Sequence, residues 1–308
     1  MNSSQFSSFI LTGYSNTGQL NYLYFIIITM LYISILFSNT LFVVVICLER
    51  KLHKPMYLFL CSLFVNDLFG SIALFPALMT NLISDDHSVS TVHCFLQIFC
   101  IYSYANIEFV NVAVMSYDRY LAICYPLQYT ILMTPKNVCV LVFLIWLCMF
   151  VHMFINVSLT VRLEFLYCDN YLVVKLACSA PDITVKNVYG LCGLVLFLAV
   201  PLFTIIFSYI KILTICLKSS TETRQKAVST CTPHLASLLN FSFGCLINLL
   251  QSRFDKPLET FPPVLQTIIS VYFLMCQPLF NPIVYGVRMS KIRQACRNIL
   301  PVHLQQKT

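Results

Sequence analysis

The chain has 308 residues, 58% hydrophobic and only 10% charged, with mean hydropathy +0.80 and net charge +7. A soluble globular domain carries about 25% charged residues, so the composition excludes one and points to a polytopic membrane protein. The basic residues are scattered rather than gathered in one soluble domain, which argues against a nucleic-acid partner and makes Lys and Arg markers of topology.

Seven apolar stretches are long enough to span a bilayer: Tyr22–Leu48, Tyr57–Leu78, Val92–Tyr120, Val138–Val157, Val188–Leu217, Ala227–Leu250 and Pro262–Tyr285. The all-α expectation is a seven-helix transmembrane bundle. Met1–Asn21 is polar and lacks Lys and Arg, so the first span is expected to act as its own insertion signal. Arg50, Lys51, Lys54, Lys136, Lys218, Arg224 and Lys226 all fall on one side, with Arg293 and Arg297. That side is cytoplasmic by the positive-inside rule, which leaves the N-terminus outside. Asn2-Ser3-Ser4 is then a glycosylation sequon on the outer tail.

Polar groups within the spans carry most of the information. Asn39 in the first span and Asp67 in the second lie at bilayer depth and are expected to face the bundle. Pro55 is placed to start the second helix, where its missing N–H costs nothing. Glu108 on the third span is a second carboxylate at similar depth. Two buried carboxylates need either a shared proton or a cation between them, and Na⁺ is the candidate cation. The sequence implies no other cofactor.

The third span begins near Cys94 and ends in MSYDRYLAIC, Met115–Cys124. From Cys94 to Arg119 is 25 residues, roughly 37 Å of helix and near one bilayer with part of its headgroups. A single helix thus carries a cysteine at its outer end and Asp118, Arg119 and Tyr120 at its inner end. Pro126-Leu127-Gln128-Tyr129 reads as a loop, and Trp146 in the fourth span as a packing residue. The outer loop Ser158–Asn187 holds Cys168 and Cys178, and either can reach Cys94. The remaining cysteines sit mostly inside apolar spans, where a thiol behaves as a small hydrophobe.

Pro233 lies early enough for the sixth helix to begin beside it. Pro282 in the seventh span frees a carbonyl one turn earlier, and the Asn281 side chain can bond what is left, a plausible hinge. Val287–Leu300 alternates basic and apolar residues as a short amphipathic helix on the inner-leaflet lipid, with Cys296 either an acylation site or a packing cysteine. Two other classes find little support. A transporter should show an internal repeat, and an enzyme needs a nucleophile–base or metal constellation that His152 and His234 do not form.

Five motifs, in order across nearly the whole chain, resemble those of the odorant receptors within the rhodopsin-like G-protein-coupled receptors. They are LHKPMYLFL (Leu52–Leu60), MSYDRYLAIC followed by PLQY, SYIKI (Ser208–Ile212), KAVSTCTPHL (Lys226–Leu235) and PLFNPIVYGVR (Pro278–Arg288). The resemblance implies an extracellular tail over residues 1–21, a receptor domain over 22–285, and a cytoplasmic amphipathic helix and tail over 286–308. It also implies a small-molecule odorant in the outer half of the bundle, a stimulatory olfactory-type G protein that raises cyclic AMP, and receptor-transport chaperones. The expected location is the plasma membrane of olfactory cilia.

By matched position, Asp118, Arg119 and Tyr120 resemble the motif that holds the inactive state and then engages the G protein. Asn281, Pro282 and Tyr285 resemble the rearranging motif of the last helix, and Asp67 and Glu108 the sodium-pocket carboxylates. Cys94 resembles the third-helix cysteine and Cys168 its usual disulfide partner. The chain departs from the family in carrying Ser38-Asn39 for Gly-Asn, Ser158 for a third loop cysteine, and Phe241-Ser242-Phe243-Gly244 for Phe-Tyr-Gly. The second departure leaves Cys178 without its expected partner. Tyr102, Ala105, Asn106 and Phe109 share one side of the third helix, and Phe243, Ile247 and Tyr272 face them as candidate ligand contacts. With no Asp or Lys in the outer half of the third helix, a salt-bridged amine is a disfavoured ligand.

Overall fold

The computed structural model describes residues 8–10, 20–84, 88–161, 188–193, 195–218, 232, 235–244, 263–289 and 291–297. Asn2, Cys168, Cys178, Ile247 and the outer loop lie outside the described residues, as do Pro233 and His234. Within them the chain is a bundle of long apolar helices, and each of the seven expected spans is present in whole or in part.

Helix α1 (Leu20–Leu48) leads through a 3₁₀ turn, Arg50–Leu52, to α2 (Pro55–Ile83). The Glu49 carboxylate accepts the Lys51 backbone N–H at 3.2 Å and so caps that turn. Pro55 occupies the first turn of α2, as its fixed φ and missing N–H favour. Helix α3 (Thr91–Cys124) starts at Ser90, whose hydroxyl accepts the His93 N–H at 3.3 Å. Next come α4 (Pro126–Leu132) and α5 (Pro135–Val161), the latter capped by Thr134 Oγ1 on the Asn137 N–H. The fifth span runs through helical residues 188–193 and a π-helical turn, Val195–Ala199, into α6 (Val200–Lys218). Leu235–Gly244 forms α7, Pro263–Arg288 forms α8, and residues 291–297 form a final short helix, α9.

Two elements differ from the sequence expectation. Residues 126–129 form the start of a seven-residue helix rather than a loop. The break falls one residue earlier, at Tyr125 (φ −137°, ψ 62°), and Pro126 then initiates α4 instead of ending structure. The outer tail also contributes a strand: β1 (Ser8–Ile10) pairs antiparallel with β2 (Ser88–Ser90), Phe9 opposite Val89.

Helices α2 and α3 form the centre of the bundle. Within their most apolar windows 61% and 56% of the residues are buried, against 22% for α5 and 18% for the fifth span. The latter two leave most of their residues unburied by other described residues. The α2–α3 contact is close because Gly70 lies against Tyr104, where a Cβ would sit 2.5 Å from the ring. An inner cluster built on Val45, Leu52, Tyr57, Leu63, Tyr285 and Ile292 joins α1, α2, α8 and α9. A second, around Ile35, Phe75, Tyr104, Phe109 and Phe241, joins α1, α2, α3 and α7. Ile292 and Ala295 of α9 are buried while Lys291, Arg293 and Arg297 are exposed, the expected amphipathic division. Cys296 packs against the inner cluster, and burial raises its thiol above the ordinary range.

Candidate functional site

Two polar constructions interrupt this apolar interior. The first lies at mid-depth, where α2, α3, α7 and α8 meet. Asp67, Glu108 and Asn281 are all fully buried. A single nitrogen, Asn281 Nδ2, donates to Asp67 Oδ2 at 2.9 Å and to Glu108 Oε1 at 3.2 Å. The other Glu108 oxygen accepts from Asn66 Nδ2 at 3.0 Å. Asp67 and Glu108, expected as carboxylates at similar bilayer depth, are thus joined by Asn281, which was expected instead to bond the carbonyl freed by Pro282.

Sequence reasoning missed the residues that complete this network. Gln277 lies one helical turn before Asn281. Its Nε2 donates to Glu108 Oε1 at 3.1 Å and to Ser237 Oγ at 2.7 Å. Ser237 in turn donates to Asn281 Oδ1 at 2.7 Å. Asn240 Nδ2 reaches Gln277 Oε1 at 2.7 Å, and the Tyr272 hydroxyl donates to Asn240 Oδ1 at 2.9 Å. A chain of hydrogen bonds therefore runs from Tyr272, a candidate ligand contact, to the carboxylate pair. The i, i+4 spacing of Gln277 and Asn281 was the available signal. Asn39 Nδ2 ties α1 to the same region through the Pro278 carbonyl, 2.9 Å away. That carbonyl is the one Pro282 leaves without its helical N–H.

The donors offered to a cation here are hard oxygens. Asp67 Oδ1 is buried with no hydrogen-bond partner among the described residues, as are Asn39 Oδ1 and Asn66 Oδ1. Carboxylate and amide oxygens suit an alkali or alkaline-earth ion and not a soft transition metal. Among the described residues no group of three or more His, Cys, Asp or Glu side chains converges on a metal position.

The second construction is at the inner end of α3. Asp118 is fully buried and Arg119 partly so. The Arg119 guanidinium pairs with Asp118 Oδ2 through Nη2, and its Nε donates to the same oxygen at 2.9 Å. The Tyr129 phenol of α4 lies against both side chains. Burial and the Asp118 charge push it up to about 12, so it remains a neutral donor. Tyr120 is ringed by Tyr125 and Phe207, each 5.7 Å away between centroids, and packs beside Ile212 and Cys216 of α6. Tyr285 of α8 is fully buried, edge-on to Phe64 at 6.2 Å, with the adjacent Pro282 also buried.

The expected ligand contacts are distributed less simply. Phe109 meets Phe241 edge-on at 4.7 Å, and Ala105 packs in the same cluster. Asn106 Nδ2 approaches the Met153 sulfur of α5 at 3.5 Å. Tyr102 is half-buried. Phe243 stacks edge-on against Tyr272 at 5.9 Å but leaves 55% of its surface exposed. Trp146 does more than pack, since its Nε1 donates to Ser62 Oγ at 3.0 Å. Cys94 is buried and disulfide-bonded, and its partner lies outside the described residues.

An olfactory-receptor family model matches residues 28–303, from the first span to beyond α9. The chain belongs to the olfactory receptor family. Among its relatives, olfactory receptor 11A1 of Homo sapiens is 36% identical over 303 residues, covering 96% of this chain and 94% of the relative. Olfactory receptor 4E2 of Mus musculus is 33% identical, with 100% and 98% coverage. Olfactory receptor 1496 of Rattus norvegicus is 30% identical, with 97% and 98% coverage. This olfactory receptor is accordingly a multi-pass membrane receptor rather than an enzyme.

Proposed function

We propose that this olfactory receptor binds a small, uncharged odorant in the outer half of its bundle and activates a stimulatory olfactory-type G protein, raising cyclic AMP. The supporting observation is the placement of two polar constructions on one helix. Glu108 and Arg119 of α3 are 11 residues apart by number, about 17 Å along the axis. One end is tied to α8 through Asn281, and the other carries the Asp118–Arg119 pair beside Tyr129 of α4, with Tyr120 next to it packed against α6. Odorant contacts at Tyr102, Ala105, Asn106, Phe109, Phe243, Ile247 and Tyr272 bias the upper network. Asp118, Arg119, Tyr120, Asn281, Pro282 and Tyr285 are the switch that opens the inner end. An agonist acts here by favouring a pre-existing open state.

In this reading Asp67 and Glu108 hold a Na⁺ ion, with the unpartnered Asp67 Oδ1 as its open donor. Its single charge would offset one of the two buried carboxylate charges. Cys94 pairs with Cys168 to pin the outer loop, Asn2 carries glycan, and receptor-transport chaperones deliver the protein to the ciliary plasma membrane. The decisive experiment measures cyclic AMP in cells expressing the chain with those chaperones and the olfactory G protein, against a broad odorant panel. A ligand-dependent rise is expected, and Arg119→Ala should abolish it at unchanged surface density. A surviving response in that variant overturns the switch assignment. For the disulfide, Cys168→Ser should lose surface delivery while Cys178→Ser should keep it, and the reverse pattern reassigns the bridge.

A further inference from the structure

A groove of about 310 Å³ lies between the outer halves of α2 and α3, away from the polar network, and is open on its outward side. Its opening is marked by Ile72 and Leu96, each 57% exposed on helices that span the membrane. The floor is shallow because Ala73 and Ala77 contribute only methyl groups, with Phe69 closing the deep end. Phe69 is fixed there by edge-on contacts to Trp146 and Phe150 of α5, at 6.0 and 5.7 Å.

The groove is polar at one end only. His93 and Gln97 line it within two turns of the start of α3, and neither side chain hydrogen-bonds a described residue. Bilayer-facing polar groups without partners are costly, so a ligand with one polar end is favoured over a purely apolar one. From His93 to Cys100 the lined face of α3 extends about 10 Å along the axis. That matches the rigid body of a fused-ring amphiphile whose single hydroxyl stays near the interface. A flat floor of two alanines and a proline ring fits a flat, inflexible face better than a disordered acyl chain.

We propose that this groove is a site for a membrane sterol in the outer leaflet, its hydroxyl held by Gln97 and His93 and its ring system lying on Ala73, Pro76 and Ala77. The site is separate from the odorant contacts and independent of the coupling scheme above. It would let membrane composition act on the α2–α3 core.

The test uses the full-length receptor in phosphatidylcholine nanodiscs containing a photoreactive cholesterol analogue, with adducts mapped by mass spectrometry. Saturable labelling is expected on the α2 and α3 segments lining the groove. Cholesterol should displace it, its 3-epimer should displace it less well, and added phosphatidylcholine should not displace it. Ala77→Phe, which fills the floor, should remove the saturable part. Gln97→Leu should weaken binding by about fivefold, the contribution of one hydrogen bond. The sterol assignment is overturned by labelling equally strong on α5 and α6, by displacement with phosphatidylcholine, or by labelling unchanged in Gln97→Leu. Odorant response in the same variants is a separate readout, so failure of the coupling scheme leaves this test intact.

Discussion

Asp118 holds the Arg119 guanidinium through one carboxylate oxygen, Oδ2, within the same helical turn, with the Tyr129 phenol of α4 beside both. Removing the Asp118 charge weakens its hold on the guanidinium and leaves the helix in place. Asp118→Asn is therefore expected to raise basal cyclic AMP at equal surface density, opposite in sign to Arg119→Ala. Basal output unchanged from the parent chain would show that the pair does not restrain the receptor. Gln277 presents a different energetic case. Its amide serves Glu108, Ser237, Asn281 and Asn240 together. Gln277→Leu strands the Asn240 amide N–H and takes one donor from Glu108, and should cost about 1–3 kcal/mol per unsatisfied group, lowering the melting temperature in detergent. Asn240 shares that network, so the Asn240→Leu, Gln277→Leu double variant should lose less than the sum of the single losses. Strict additivity would mean that the two amides act separately.

At the scale of elements, the spans were legible because a bilayer demands about 20 apolar residues in an unbroken run. Observed ends such as Pro55, Thr91 and Arg288 fall within a few residues of those read from hydropathy. Helix α4 was not legible, since Pro126 reads as a breaker unless the break at Tyr125 is already known. The strand pair β1–β2 joins segments about 80 residues apart, and three residues per strand leave no periodic signal. Charge at depth revealed Asp67 and Glu108. Neutral Gln277, Asn240 and Ser237 merely diluted their spans, because an amide or hydroxyl in an apolar run shows its purpose only when its partner is placed. Gly70 was equally silent, although it sets the approach of α2 to α3. Gly70→Ala should force the Tyr104 ring aside at a cost of about 1–3 kcal/mol. A receptor with normal thermal stability after that change would place the slack elsewhere in the α2–α3 interface.

The whole bundle shares one electrostatic problem. Asp67 and Glu108 are fully buried on different helices and joined by the Asn281 nitrogen, so any positive charge placed there acts on α2, α3 and α8 together. A cation that binds the closed arrangement better than the open one stabilises it by RT ln(1 + [L]/Kd), and removing the cation releases that bias. Replacing external Na⁺ by a bulky organic cation is then expected to raise basal cyclic AMP in the parent receptor. Asp67→Asn lacks the open carboxylate donor and should have lost this sensitivity at either cation composition. A shared proton gives another pattern: exchange of Na⁺ is without effect, and the response follows pH instead. Because both measurements are ratios within one cell line at fixed surface density, they report on the carboxylate pair whatever odorant opens the receptor.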